Sequence, residues 1–92
     1  MKGTGQNIAY GYPSMKAVVD AWYNEVSGYD YASGQSLSGK VTGHFTQVVW
    51  KGTTEIGCAA TYCSNLKATY YVCDYSPPGN YYGEYKKNVL KP

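Results

Sequence analysis

Two β-prone runs, residues 55–62 and 67–75, bracket a turn at Ser64-Asn65-Leu66, and this antiparallel ribbon constrains everything around it. A turn centred between Asn65 and Leu66 sets Cys58 opposite Cys73. Opposed residues of a non-hydrogen-bonded pair have Cα atoms about 4.5 Å apart, near the short end of the roughly 4.4–6.8 Å that a disulfide spans. The spacing therefore predicts a Cys58–Cys73 bond. Cys63 lies five residues from Cys58, so alternation turns it to the other face and leaves it without a partner. The alternative is three reduced, buried thiols in an intracellular protein. Pro77-Pro78-Gly79-Asn80 ends the second strand, because proline cannot donate to the ladder.

A chain of 92 residues fits one small domain. Such a chain buries only about 60–70% of its unfolded surface, so a disulfide or a partner is an expected support. The charge excludes some partners. Eight basic residues against six acidic give a net charge of +2, and the lysines are spread apart from Lys86-Lys87. That is too mild for a nucleic-acid groove. No apolar run is long enough to span a membrane, and Met1-Lys2-Gly3-Thr4-Gly5 does not read as a signal peptide. No C-x-x-C spacing favours a zinc ribbon. Twelve tyrosines suit half-exposed strands and interfaces, since each has an apolar body and a polar tip.

Upstream of the ribbon, residues 3–13 read as an extended or looped entry closed by Pro13. Ser14 can cap a helix over about 14–27, in which Met15, Val18, Val19, Trp22 and Val26 recur on one stripe and Gly28 supplies the stop. Residues 28–43 have no sustained period and read as a long loop. The segment His44 to Trp50 fits a short helix or a strand. The tail from Tyr81 to Pro92 shows no period.

Two stretches carry more than folding signals. Gly43-His44-Phe45-Thr46-Gln47-Val48-Val49-Trp50 resembles the first signature of the CAP superfamily, the cysteine-rich secretory, antigen 5 and pathogenesis-related-1 group. Tyr71-Val72-Cys73-Asp74-Tyr75-Ser76-Pro77-Pro78-Gly79-Asn80-Tyr81 resembles the second. Ile56-Gly57-Cys58-Ala59 is similar to the strand between them, Gly5-Gln6-Asn7-Ile8-Ala9 to a G-E-N box, and Trp22-Tyr23-Asn24-Glu25 to a W-Y-x-E helix. The tyrosine-rich style is nearest the fungal Pry-like and plant pathogenesis-related branches. The resemblance implies an α+β fold, the C-terminal part of an α-β-α sandwich. Residues 1–92 would form a single partial domain lacking the N-terminal helices and a first, central strand. It also implies that Cys63 pairs, in plant-type members, with a cysteine ahead of the G-E-N box, and it agrees with Cys58–Cys73.

The family cleft holds two histidines and two glutamates. By position, Glu25 stands for the second glutamate and His44 for the second histidine, Gln6 replaces the first glutamate, and the first histidine falls at or before Met1. One imidazole and one carboxylate make a weak divalent-metal site, because structural zinc takes four protein ligands and catalytic zinc three. No metal or other cofactor is expected. Without the resemblance, Glu25 reads as a half-buried acid paired with a neighbour and His44 as a satisfied structural histidine. No Ser/His/Asp or Cys/His arrangement is visible, so a binding protein is expected rather than an enzyme.

The resemblance implies a secreted, extracellular protein that binds sterols or fatty acids. The loop at 28–43, with Tyr29, Tyr31 and Leu37, would gate an apolar groove. A second reading is immune or virulence signalling through a releasable peptide, here Pro77 to Pro92, and a third is a metal-dependent hydrolase. Lacking two helices, the sheet would keep one bare face, and a bare apolar face invites self-association.

Overall fold

The computed structural model describes residues 4–91. The readings of Met1, Lys2 and Gly3 in the entry segment, and of Pro92 at the end of the tail, lie outside the described residues. Along the chain run β1 (Gly5–Tyr10), α1 (Met15–Asn24) continued by a 3₁₀ turn (Glu25–Gly28), β2 (Tyr29–Asp30), β3 (Gln35–Ser36), α2 (Gly43–Val49), β4 (Glu55–Cys63), β5 (Ala68–Ser76) and α3 (Tyr85–Asn88).

The ribbon forms as its pattern predicts. Strands β4 and β5 pair from Glu55↔Ser76 to Cys63↔Ala68, with Cys58 directly across from Cys73. Those two cysteines are disulfide-bonded over a Cα separation of 4.1 Å, and Cys63 is a free thiol. The turn is closed by Leu66 N–H donating to the Cys63 carbonyl and by Lys67 in the left-handed region at φ 52°.

The entry segment is a strand. Its alternation, Gly5-Asn7-Ala9 against Gln6-Ile8-Tyr10, is a period-2 pattern that the glycines and tyrosines obscure. β1 pairs antiparallel with β5 from Gly5↔Tyr75 to Tyr10↔Tyr70, so the sheet has three strands in the order β1-β5-β4. The ribbon alone leaves this central position of β5 unstated.

Helix α1 begins where Ser14 accepts from Ala17 N–H, the expected cap. It does not stay α-helical to residue 27: from Glu25 the backbone tightens into the 3₁₀ turn that ends at Gly28. The expected stripe is only partly inward. Val18 and Trp22 are buried, whereas Val19 is exposed. They pack on Tyr71, Cys73 and Tyr75, the alternate residues of β5 that face the helix. Each large side chain buried this way stabilises the fold by about 1.5–3 kcal/mol.

Residues 43–49 resolve as helix α2. Phe45 and Trp50 join Tyr29 and Val89 in a second cluster, which brings the aperiodic tail onto the body through α3. Strand β4 lies at the sheet edge and extends past the helix layer, with Ile56 and Tyr62 exposed by 62% and 63%. Among the described residues no helix is long and apolar enough to cross a membrane.

Candidate functional site

Glu25 stands at the end of α1, where the change to 3₁₀ winding delivers it to the start of α2. A helix start leaves N–H groups without intrahelical partners. At α2 the capping residue, Thr42, makes no side-chain bond to them. Glu25 does so from the neighbouring helix: its Oε1 accepts from His44 N–H and Phe45 N–H, each at 3.0 Å. Its Oε2 lies 2.8 Å from His44 Nδ1. A carboxylate only accepts, so Nδ1 carries the proton of that bond. Trp22 stacks on the imidazole, ring centroids 5.9 Å apart and planes within 10°.

Asn7, buried on β1, donates one amide to the His44 carbonyl and to the Tyr75 hydroxyl, both at 3.1 Å. It fastens the sheet to α2 beneath the histidine. The Glu25 and His44 side chains remain 19% and 37% exposed. They line a hollow of about 390 Å³. Its walls are Ile8, Ala9, Tyr10 and Tyr12 from the first strand and its exit, Ala21 and Trp22 from α1, and Tyr70 from β5. Tyr10 and Tyr70 face each other across the strands, centroids 6.2 Å apart.

The structure thus brings Glu25 and His44 together and leaves Gln6 outside their hollow. Gln6 is exposed and donates from Nε2 to Asp74 Oδ1 at 2.8 Å, its direct partner across β1 and β5. The register decides this, since the nearest acceptor is the residue opposite. The aromatic walls at Tyr10, Tyr12 and Tyr70 are absent from the sequence-derived site. Their signal is the period-2 alternation of β1, legible only once that segment is read as a strand.

Among the described residues no three His, Cys, Asp or Glu side chains converge. Both Glu25 oxygens and His44 Nδ1 are already engaged with each other and with α2.

The two signature stretches act on one another. The buried Gln47 accepts from Gly79 N–H at 2.8 Å through Oε1 and donates from Nε2 to Thr53 Oγ1, which donates to the Pro77 carbonyl. Asn80, at φ 60°, donates to the Gly43 carbonyl and accepts from Thr46 Oγ1 at 2.6 Å. A Cβ on Gly79 would meet the Trp50 ring at 2.7 Å, so only glycine permits this approach. Pro78 precedes that contact, and Tyr71, Cys73 and Tyr75 supply the core under α1. These residues hold His44 in place and do not touch the hollow.

The loop over 28–43 is pinned by the short β2–β3 pair. Tyr29 is buried against Phe45 and Tyr31, while Leu37 is exposed. Burial pushes the Tyr29, Tyr75 and Tyr85 hydroxyls above their ordinary pKa.

Comparison with known proteins agrees with this architecture. The chain is 48% identical over 87 residues to the protein PRY2 of Saccharomyces cerevisiae, covering 94% of this chain and 25% of PRY2. It is 45% identical over 83 residues to the pathogenesis-related protein PR-1 of Medicago truncatula, covering 87% of this chain and 48% of that protein. Among solved structures, the venom allergen-like protein 4 of Schistosoma mansoni superposes with a TM-score of 0.77 at 31% identity, over 99% of this chain and 54% of that one. The chain thus spans about half the length of the plant relative and a quarter of the yeast one. With helices on one side of an antiparallel sheet, this is the partial α-β-α sandwich that the motifs imply. The profile of the cysteine-rich secretory protein family, CAP, matches residues 1–75, and the chain belongs to that family.

Proposed function

We propose that the chain binds a lipid, a sterol or a fatty acid, in the hollow that Glu25 and His44 help to line, as part of a secreted extracellular protein. The observation that carries this reading is the composition of that hollow: a largely apolar and aromatic wall that includes the Glu25–His44 pair. An amphiphile has the same division, with a long apolar body and a small hydroxyl or carboxyl head. The body would lie along Ile8, Tyr10 and Tyr70, and the head would reach the pair. The similarity to fungal PRY2 supports the same ligand class through the resemblance set out above. The Cys58–Cys73 bond supports an oxidising compartment.

Binding is favoured over catalysis because, among the described residues that line the hollow, none is a Ser, Thr, Cys or Lys that could serve as nucleophile beside His44. The peptide-signalling reading meets a specific obstacle: Val89 is 2% exposed, packed with Trp50 and Phe45, so release of 77–92 would strip the second core cluster. Self-association belongs to the proposal as well. It is supported by edge strand β4, whose side chains are exposed along nearly its whole length.

The test is a titration with labelled palmitate and labelled cholesterol, each competed with unlabelled ligand. Saturable, competable uptake of either is expected. Uptake of neither by a folded chain overturns the proposal.

A further inference from the structure

A second and larger hollow, about 620 Å³, opens between the loop 29–42 and the tail at 82–86, on other residues than the Glu25–His44 cleft. Its volume lies in the range of about 300–1,000 Å³ usual for small-molecule sites. Its chemistry differs from that of the first. Among its lining residues none is Val, Leu, Ile, Met or Phe. The large apolar faces come from Tyr29, Tyr82 and Tyr85, with the Thr42 and Thr46 methyls and the Lys86 stem beside them. The rest is hydroxyls, an amide, glycine backbone and one ammonium group, that of Lys86.

We infer that this hollow binds a short saccharide bearing a carboxylate. Tyrosine faces suit the C–H faces of pyranose rings, and hydroxyl and amide side chains suit their hydroxyls. A lipid tail would set a wall of hydroxyls against hydrocarbon and leave them unpaired, which is unfavourable.

Two further observations point to a polar occupant. Tyr29 is 6% exposed, and its hydroxyl is buried with no hydrogen-bond partner. A buried hydroxyl without a partner is costly, and a ligand hydroxyl entering this site would satisfy it. Among the described residues no hydrogen bond engages the side chains of Ser33, Gln35 or Ser36 on the rim. The floor, in contrast, is fixed, with Thr46 bonded to Asn80 and the Tyr85 hydroxyl donating to the Asn80 carbonyl.

The charge selects the anion. Among the described residues Lys86 is the only charged one in the lining, and its stem lies over Gly34, where a Cβ would meet Lys86 Cγ at 2.6 Å. Glycine at that point lets the lysine stem cross the rim. The neighbouring Lys87 is paired with Glu84, whereas Lys86 has no ion pair among the described residues.

The experiment is an amide NMR titration of the full chain with trigalacturonate, with maltotriose as a neutral saccharide and with palmitate. Trigalacturonate is expected to move the amides of 33–36 and 82–86 with a Kd of about 1 mM or tighter, and maltotriose to bind about tenfold more weakly. Lys86→Met and Tyr29→Phe are each expected to weaken trigalacturonate about tenfold, while Lys86→Arg retains it. No shift up to about 10 mM, equal binding of maltotriose, or displacement of these amides by palmitate alone would overturn the inference. Because palmitate is followed at both hollows, failure here is distinct from failure of lipid binding at Glu25 and His44.

Discussion

The carboxylate of Glu25 takes hold of His44 twice, at its backbone N–H and at its ring Nδ1, while also capping the following residue of α2. One acid thereby ends one helix, starts the next and orients the imidazole. Its place beside the hollow and its place in the fold rest on the same set of bonds.

That double role predicts a stability cost larger than a surface substitution gives. Glu25→Ala removes the partners of two backbone N–H groups and of a ring nitrogen, and is expected to lower unfolding free energy by about 2–3 kcal/mol. Glu25→Gln keeps an acceptor for the N–H groups and is expected to lose about half as much. Urea unfolding followed by circular dichroism measures both. Equal losses would show that the charge contributes nothing.

The disulfide closes a loop with a sequence separation of 15. Chain-entropy arguments give about 3 kcal/mol for a loop of this length. Cys58→Ser with Cys73→Ser should lower the midpoint of urea unfolding accordingly, whereas Cys63→Ser, on a half-exposed thiol, should change it little. A double variant as stable as the parent contradicts the pairing.

How far the sequence reveals this fold depends on where the signals are local. The 58/73 pairing follows from period 2 and one turn, and the α1 start follows from Ser14. The strand at Gly5–Tyr10 does not show itself, because its pairing partner lies sixty or more residues away at Tyr70 to Tyr75. The same distance hides where Gln6 goes, since its bond to Asp74 depends on register. Glu25 and His44 are legible as a pair only through the family motifs, as the bend into the 3₁₀ turn that joins them has no periodic signature. The tyrosines lining both hollows are legible as composition and not as position.

Gly79→Ala should destabilise more than any exposed glycine change. The added methyl meets both the Trp50 ring and Gln47 Nε2 at 2.7 Å, so the two signatures must separate. Overpacking of this kind costs about 1–3 kcal/mol. Thermal unfolding compared with Gly57→Ala, where nothing lies within 4 Å, gives the contrast.

Alkaline pH should weaken the fold. Tyr29, Tyr75 and Tyr85 have hydroxyl pKa values raised above 10.0 by burial, so the folded state holds their protons longer than the unfolded chain does. Their contribution is complete below pH 10 and falls as pH climbs from there through the raised values, because the unfolded state binds fewer protons. Urea midpoints should be level across pH 7–9 and decline above pH 10. A midpoint that rises there would reverse the sign.

Exposed β4 predicts concentration-dependent association. Sedimentation velocity should show a growing dimer fraction, and Ile56→Lys together with Tyr62→Lys should suppress it. A monomer at all concentrations contradicts that part of the account.

The most direct measurement is uptake of labelled palmitate and cholesterol by Ala21→Trp beside the parent chain. Ala21 lines the hollow from α1, and an indole there takes up space that the ligand would occupy. The account predicts saturable uptake by the parent and its loss in a variant that unfolds normally. Undiminished uptake by the filled variant would place the ligand elsewhere and contradict it.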